Sequence, residues 1–313
     1  MGEASCPQLA AAVSNAGGLG MLALSFVDLD EIRRQVRETK ALSQRPFGVN
    51  LILDFDQQEQ LAVCLEEGVP IISLFWGDPT PLVSRIHGAG AVVFHTAPDA
   101  ADARRAVDAG VDIIVAQGWE AGGHVRGQMS SLCLIPSVVD AVAPTPVLAA
   151  GGIADGRGLA AVLALGASGA WIGTRYLAAK EAAIHSHYRE LLLRANGTDT
   201  VYTQVFDVGW PNAPHRVLRN TTVRAWEAAS RPCSGNRPGE GEVLATSPSR
   251  GEFVRHRSAT PGADAKGDIE ALSLWAGQGV GLVTRVQGAA EIVQEIIDEA
   301  RSVFRSCAAL AAS

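Results

Sequence analysis

A single histidine, His124, stands in the stretch AQGWEAGGHVRG among Gly118, Gly122, Gly123 and Gly127. Glycines let a backbone approach a bound group or take positive φ, and an imidazole among them can move a proton near neutral pH. The plainer alternative is a glycine-rich turn whose histidine is merely solvated. Two later segments carry similar punctuation. Gly151 and Gly152 close PVLAAGGI just before a helix-starting Asp155, and Gly173 and Thr174 fall inside GAWIGTRYL. Backbone N–H groups at two consecutive strand ends, with a hydroxyl beside them, can cradle one phosphate monoester, although ordinary turns would read the same way.

Other candidates are weaker. Asn50 and Gln117 are polar residues on otherwise apolar strands. Their amides can donate and accept, which suits the edge of an isoalloxazine ring, or they are satisfied core amides. His95 reads as structural. His185 and His187 lack a third ligand at metal-site spacing, so no metal is expected. Ser14, Ser73 and Ser130 have no GxSxG context, there is no GxxxxGK[ST] loop, and GGLG at 17–20 precedes a strand, the wrong context for a dinucleotide fingerprint.

Residues of this kind need a scaffold that brings strand ends together. Apolar runs of four to seven residues alternate with helical segments of about ten, joined by short Gly/Pro/Asp turns. That rhythm predicts parallel strands with helical crossovers. Seven strands are expected: Leu19–Leu24, GVNLIL, Pro70–Trp76, Ala91–Ala97, DIIVAQG, Pro146–Ile153 and Gly169–Leu177. The glycine-rich turns cluster after the last strands, where a (β/α)₈ (TIM) barrel builds its phosphate site, whereas an open doubly wound sheet would place one after its first strand. A helix starts at residue 7 with no strand before it, so the first barrel strand is expected to be missing.

The expected organisation is a barrel over 1–178, a lid or insertion over 179–267 with short helices and mobile loops, and C-terminal helices over 268–313, including IEALSLWAGQGVGL. The last helix is amphipathic and is expected to close the barrel, although such a helix can also serve a homodimer.

The chain has 313 residues, a hydrophobic fraction of 47% and a formal net charge of -7. That is enough for a large core, and it carries no basic stripe for nucleic acid. Five scattered cysteines without CxxC spacing read as reduced thiols of a cytoplasmic protein. No apolar run reaches membrane-spanning length and no signal peptide is evident, so no membrane association is expected.

AAAVSNAGGLGML, RPFGVNLIL, AQGWEAGGHVRG, PVLAAGGIADGRGLAAVLALGASGAWIGTRYLA and LWAGQGVGL together resemble the nitronate monooxygenase family, formerly 2-nitropropane dioxygenases. The resemblance implies an FMN-dependent barrel enzyme. The FMN phosphate would lie on Gly152, Gly173 and Thr174 and the ring against Asn50, Gln117 and Gly122. Gly123, Gly151, Trp171 and Ile172 complete the implied cofactor contacts. His124 would act at the nitro or nitronate group. The implied reaction is oxidation of an alkyl nitronate through an anionic flavin semiquinone, with O2 as final oxidant and a carbonyl compound and nitrite as products. Family members usually carry a strand ahead of the segment matching Ser5–Ala12, and this chain starts after it.

The same scaffold and EAGGH block occur in flavin-dependent enoyl-acyl carrier protein reductases and NADH:quinone reductases. An acyl-carrier partner would favour a basic patch, for which Arg216, Arg219 and Arg224 are candidates against a plain solvated helix face. A barrel that has lost catalysis with its first strand is the third alternative.

Overall fold

The computed structural model describes residues 2–311. Helix α1 (Pro7–Asn15) leads into β1 (Gly20–Ala23), α2 (Leu29–Leu42), β2 (Phe47–Ile52), α3 (Gln58–Glu66), β3 (Ile71–Phe75), α4 (Thr80–Gly88), β4 (Val92–Ala97), α5 (Ala100–Asp108) and β5 (Ile113–Gln117). The glycine loop forms a two-residue strand, β6 (Gly123–His124), followed by α6 (Ser131–Val142), β7 (Val147–Ala150), α7 (Gly156–Ala164), β8 (Gly169–Trp171) and α8 (Thr174–Leu177). All the expected parallel strands are present, in the order β1-β2-β3-β4-β5-β7-β8. They form a curled α/β sheet, seven strands of a (β/α)₈ barrel. No ladder joins β8 to β1 among the described residues, and a cavity of about 360 Å³ lies along that seam, lined from α1, β1 and β8.

Local chemistry places the helices. Asp28 accepts from the Glu31 N–H at the start of α2, Asp99 does the same for α5, and Asp155 accepts from Arg157 and Gly158 at α7. Each satisfies N–H groups that a helix start leaves unpaired. Side chains then alternate along the strands. Val49, Ile72, Val93 and Ile114 pack outward against the helices. Phe94, Val115 and Ala150 pack inward with Trp171.

Beyond Leu177 come α9 (Ser186–Arg194), β9 (Thr200–Thr203), β10 (His215–Leu218), α10 (Thr221–Ala228), β11 (Val243–Ser247), β12 (Gly251–Val254), β13 (Lys266–Gly267) and α11 (Ala289–Ala311). Here three expectations are corrected. The strand expected to reach Leu177 stops at Trp171, because the chain turns at Gly173 into α8. The polar run after 246 is not a set of loose loops. It forms much of the β12-β11-β13 sheet, whose exposed faces require polar residues. The segment IEALSLWAG is not helical: it makes a turn over 269–272 and then runs extended beside β10, with the Leu218 N–H donating to Leu274 O at 2.8 Å and Val217 bridged to Trp275. No helix among the described residues is long and apolar enough to cross a membrane.

Helix α11 closes against α7 at Gly156. A Cβ built there would lie 2.4 Å from Ala300 N and 2.5 Å from Ile296 O, so the two helix backbones meet where only hydrogen fits. Gly156→Ala is therefore expected to cost about 1–3 kcal/mol through overpacking, seen as a lower urea midpoint. An unchanged midpoint would mean that the helices do not approach this closely.

Candidate active site

The carboxyl ends of the strands enclose a cleft of about 230 Å³. Asn50, Gln117, Gly122, Gly123, His124, Gly151, Gly152, Trp171, Gly173 and Thr174 all line it. Ile172 does not: it faces the seam cavity, which shares Gly122, Gly123, Trp171, Gly173 and Thr174 with the cleft. Residues far apart in sequence thus converge because most lie at or beyond the end of a parallel strand, Asn50 lies in the second half of β2, and the loop after β5 returns Gly123 and His124 over the cleft.

Two kinds of binding group result. The N–H groups of Gly152, Gly173 and Thr174 have no hydrogen-bond partner among the described residues, and the Thr174 hydroxyl, which accepts from Gly277 N–H at 3.0 Å, still has its proton to donate. A Cβ on Gly173 or Gly123 would meet no protein atom within 4 Å, so both glycines border open space. These groups could hold a phosphate. Asn50 Oδ1 accepts from Ser73 Oγ at 3.0 Å, which leaves the amide N–H₂ for the cleft. Gln117 Nε2 donates to His124 O at 3.1 Å, so its carbonyl oxygen remains an acceptor. An N–H₂ on β2 and a C=O at the end of β5, both facing the one cleft, can grip the edge of a flat heterocycle.

His124 is held tightly. Its strand β6 pairs antiparallel with β10, His124 opposite His215 and Gly123 opposite Arg216. The imidazole stacks on Trp210 at 3.9 Å between centroids and 28° between planes, with Trp275 at 5.0 Å. Ser258 Oγ lies 3.2 Å from Nε2. Burial, followed by the nearby His215, holds the His124 pKa well below its usual value. The ring is therefore neutral at neutral pH, a base and not a fixed cation.

His215 is fully buried, and burial pushes its pKa down to about 4. Its Nε2 accepts from Phe206 N–H, so Nδ1 carries the proton and donates to Ala213 O. Folding thus keeps this imidazole neutral while the unfolded chain protonates it near its ordinary value. The folded pKa is depressed, so this stability is fully present above the unfolded value and is lost as pH falls toward the folded one. His215 alone is expected to remove about 2 kcal/mol between about pH 7 and about pH 5. The urea midpoint measured across that range should fall, and His215→Phe should flatten the slope whatever its absolute stability. Equal slopes would refute the assignment.

Other histidines lie elsewhere. His95 points out of the barrel to Asp102 of α5 at 3.4 Å. His185 caps α9 through Nδ1, which accepts from the His187 N–H. No group of three metal-ligating side chains occurs among the described residues. The three arginines weighed as a basic patch or a solvated helix face do not act together. Arg216 is buried with its guanidinium 4.5 Å over Trp119, Arg219 pairs with Glu227, and Arg224 pairs with Glu270 at 2.7 Å. Sequence reasoning missed Trp210 and Ser258, which no spacing singles out.

A curled parallel sheet with a ligand-sized cleft at the carboxyl ends of its strands defines a (β/α)-barrel protein of the enzyme type. The chain belongs to the nitronate monooxygenase family, whose model matches residues 1–299. It is 40% identical over 234 residues to the (3aS,4S,5R,7aS)-5-hydroxy-7a-methyl-1-oxo-octahydro-1H-indene-4-carboxyl-CoA dehydrogenase of Mycobacterium tuberculosis, covering 74% of this chain and 64% of that protein. The chain thus spans just under two thirds of the length of the first curated relatives it matches. Among solved structures it is similar to FabK from Thermotoga maritima (TM-score 0.84, 32% identity, 99% of this chain and 93% of the other). It is also similar to a nitroalkane oxidase from Streptomyces ansochromogenes (TM-score 0.81, 28% identity, 98% and 95%).

Proposed function

We propose that this chain is an FMN-dependent oxidoreductase that oxidises alkyl nitronates, and nitroalkanes it first deprotonates, with molecular oxygen, giving a carbonyl compound and nitrite. The observation that carries the reading is His124, packed against Trp210 and Trp275, in the same cleft as the N–H groups of Gly152, Gly173 and Thr174. The cleft fits the cofactor in two respects: the N–H groups of Gly152, Gly173 and Thr174 suit a phosphate, and Asn50 and Gln117 suit a ring edge. Bound there, FMN would accept electrons from substrate and return them to dioxygen.

The protein's own residues supply the rest. His124, kept neutral by burial, takes the proton from the carbon bearing the nitro group and becomes an imidazolium beside the new nitronate, where its charge stabilises the anion. Trp210 and Trp275 exclude water from that ion pair, which strengthens it. In this reading residues 1–178 carry the cofactor, 179–267 cover it, and 268–313 close the barrel, with the outer face of α11 available to a second copy. A cytoplasmic location belongs to the same reading.

The similarity to FabK and to the indene-carboxyl-CoA dehydrogenase favours a second reading, an FMN reductase fed by NAD(P)H. Against an acyl-carrier partner stands the burial of Arg216 and the pairing of Arg219 and Arg224. The test is nitrite release from ethyl nitronate measured beside NADH oxidation on the FMN-loaded protein. Nitrite without NADH oxidation supports the first reading. Rapid NADH oxidation without nitrite sinks it in favour of the second, and a protein that cannot take up FMN removes both.

A further inference from the structure

Phe26, Phe75 and Trp210 line the outer part of the cleft, and Phe55 and Trp76 brace them. Phe26 meets Phe55 edge-on at 4.9 Å, Phe55 meets Trp210 at 5.4 Å, Trp76 meets Trp210 at 5.1 Å, and Phe75 meets Trp76 at 5.4 Å. The rings come from the segments after β1 and β2, from the end of β3 and the residue after it, and from the lid. Aromatic residues make up only 5% of the chain, so five of them around one opening is not a result of abundance.

Three features mark this wall as held in place at a cost. Phe26 is 52% exposed at the mouth, apolar surface left to water. Trp76 has φ +65°, a conformation that bulky residues rarely take and that persists only where surroundings enforce it. Trp210 is fixed by its Nε1–H, which donates to Asp54 Oδ2 at 2.6 Å. Its ring covers one face of His124, so a substrate reaches the imidazole from another side, within the cleft that Phe26 and Phe75 also line. A short alkyl group at His124 would leave Phe26 and Phe75 in water. A planar ring beside the reacting carbon would cover them in the edge-to-face or offset geometry that aromatic pairs prefer.

We infer that the substrate of this cleft carries an aryl group that packs on Phe26, Phe75 and Trp210 while its reacting carbon is presented to His124. The reacting head rests on the function proposed above. The aryl body does not.

The test compares phenylnitromethane nitronate with ethyl nitronate as sources of nitrite on the FMN-loaded protein, and phenylacetate with butyrate as unreactive ligands followed by tryptophan fluorescence. The expected result is an aryl preference of about tenfold or more in kcat/KM, with phenylacetate the tighter ligand. In Phe26→Ala and in Phe75→Leu the aryl-to-alkyl ratio should drop about tenfold. An alkyl preference, or a ratio unchanged in both variants, overturns the inference. If neither nitronate is oxidised but phenylacetate still binds more tightly and loses that advantage in the variants, the nitronate chemistry falls and the aryl class stands. If the two ligands bind equally, the aryl class falls whatever the chemistry.

Discussion

His124→Ala is expected to cut kcat/KM for neutral nitroethane by about 10²–10⁴-fold, while the preformed ethyl nitronate loses only about tenfold. The asymmetry follows from the state of the ring. Burial and His215 hold the His124 pKa well below its usual value, so the imidazole is ready to accept a proton but carries no charge before it does. A neutral nitroalkane needs that base, whereas a nitronate arrives deprotonated and loses only a positioned hydrogen-bonding partner. The pH dependence has the matching sign: nitroalkane turnover should persist as pH falls through the ordinary histidine range and fail only below it, where His124 protonates. Nitrite release from the two substrates, on wild type and variant with flavin content measured beside it, checks both. Equal losses on the two substrates would show that His124 does not act as the base.

The parallel part of the fold was legible because buried parallel strands read as short apolar runs and their crossovers as helices of regular length. The cleft residues followed, since Gln117, Gly152 and Gly173 lie at or just past strand ends, Asn50 is a polar residue within an apolar strand, and a barrel must bring those ends together. The lid was less legible. β10 is only His215–Leu218, and two of its four residues are charged or titratable, so no periodicity identified it. Arg216 was open to two readings, a basic patch or a solvated helix face, and is neither, because nothing in a linear pattern shows that two aromatic rings and two acceptor oxygens wait for it in the interior. Ile172, adjacent to Trp171 and Gly173 in sequence, faces the seam and not the cleft, as alternation along an extended segment requires. Trp76 was assigned to the end of a strand, but its positive φ ends β3 one residue early and turns its ring toward Trp210.

The same Arg216 carries the second large effect. On β10 it lies opposite Gly123, one residue from the His124 pairing. Nε and Nη2 both donate to Trp119 O, at 3.3 and 3.0 Å, and Nη1 donates to Thr200 Oγ1 at 3.3 Å. The guanidinium plane covers Trp119 at 4.5 Å and lies 5.8 Å from Tyr202. Burial pushes its pKa down, so the cation is retained at a cost that these contacts offset. Arginine suits the site because its flat, weakly hydrated fork can stack and donate at once, which a lysine ammonium cannot. Arg216→Lys is expected to lose about 1–3 kcal/mol by leaving Trp119 O without its paired donors, and Arg216→Ala about 3 kcal/mol or more by adding a cavity. Because Trp119 begins the loop that ends at His124, the lysine variant should also show faster amide exchange across residues 118–124 and a lower kcat on nitroethane with bound FMN unchanged. Wild-type melting and wild-type exchange in Arg216→Lys would mean that charge alone, and not the fork lying on Trp119, holds the catalytic loop.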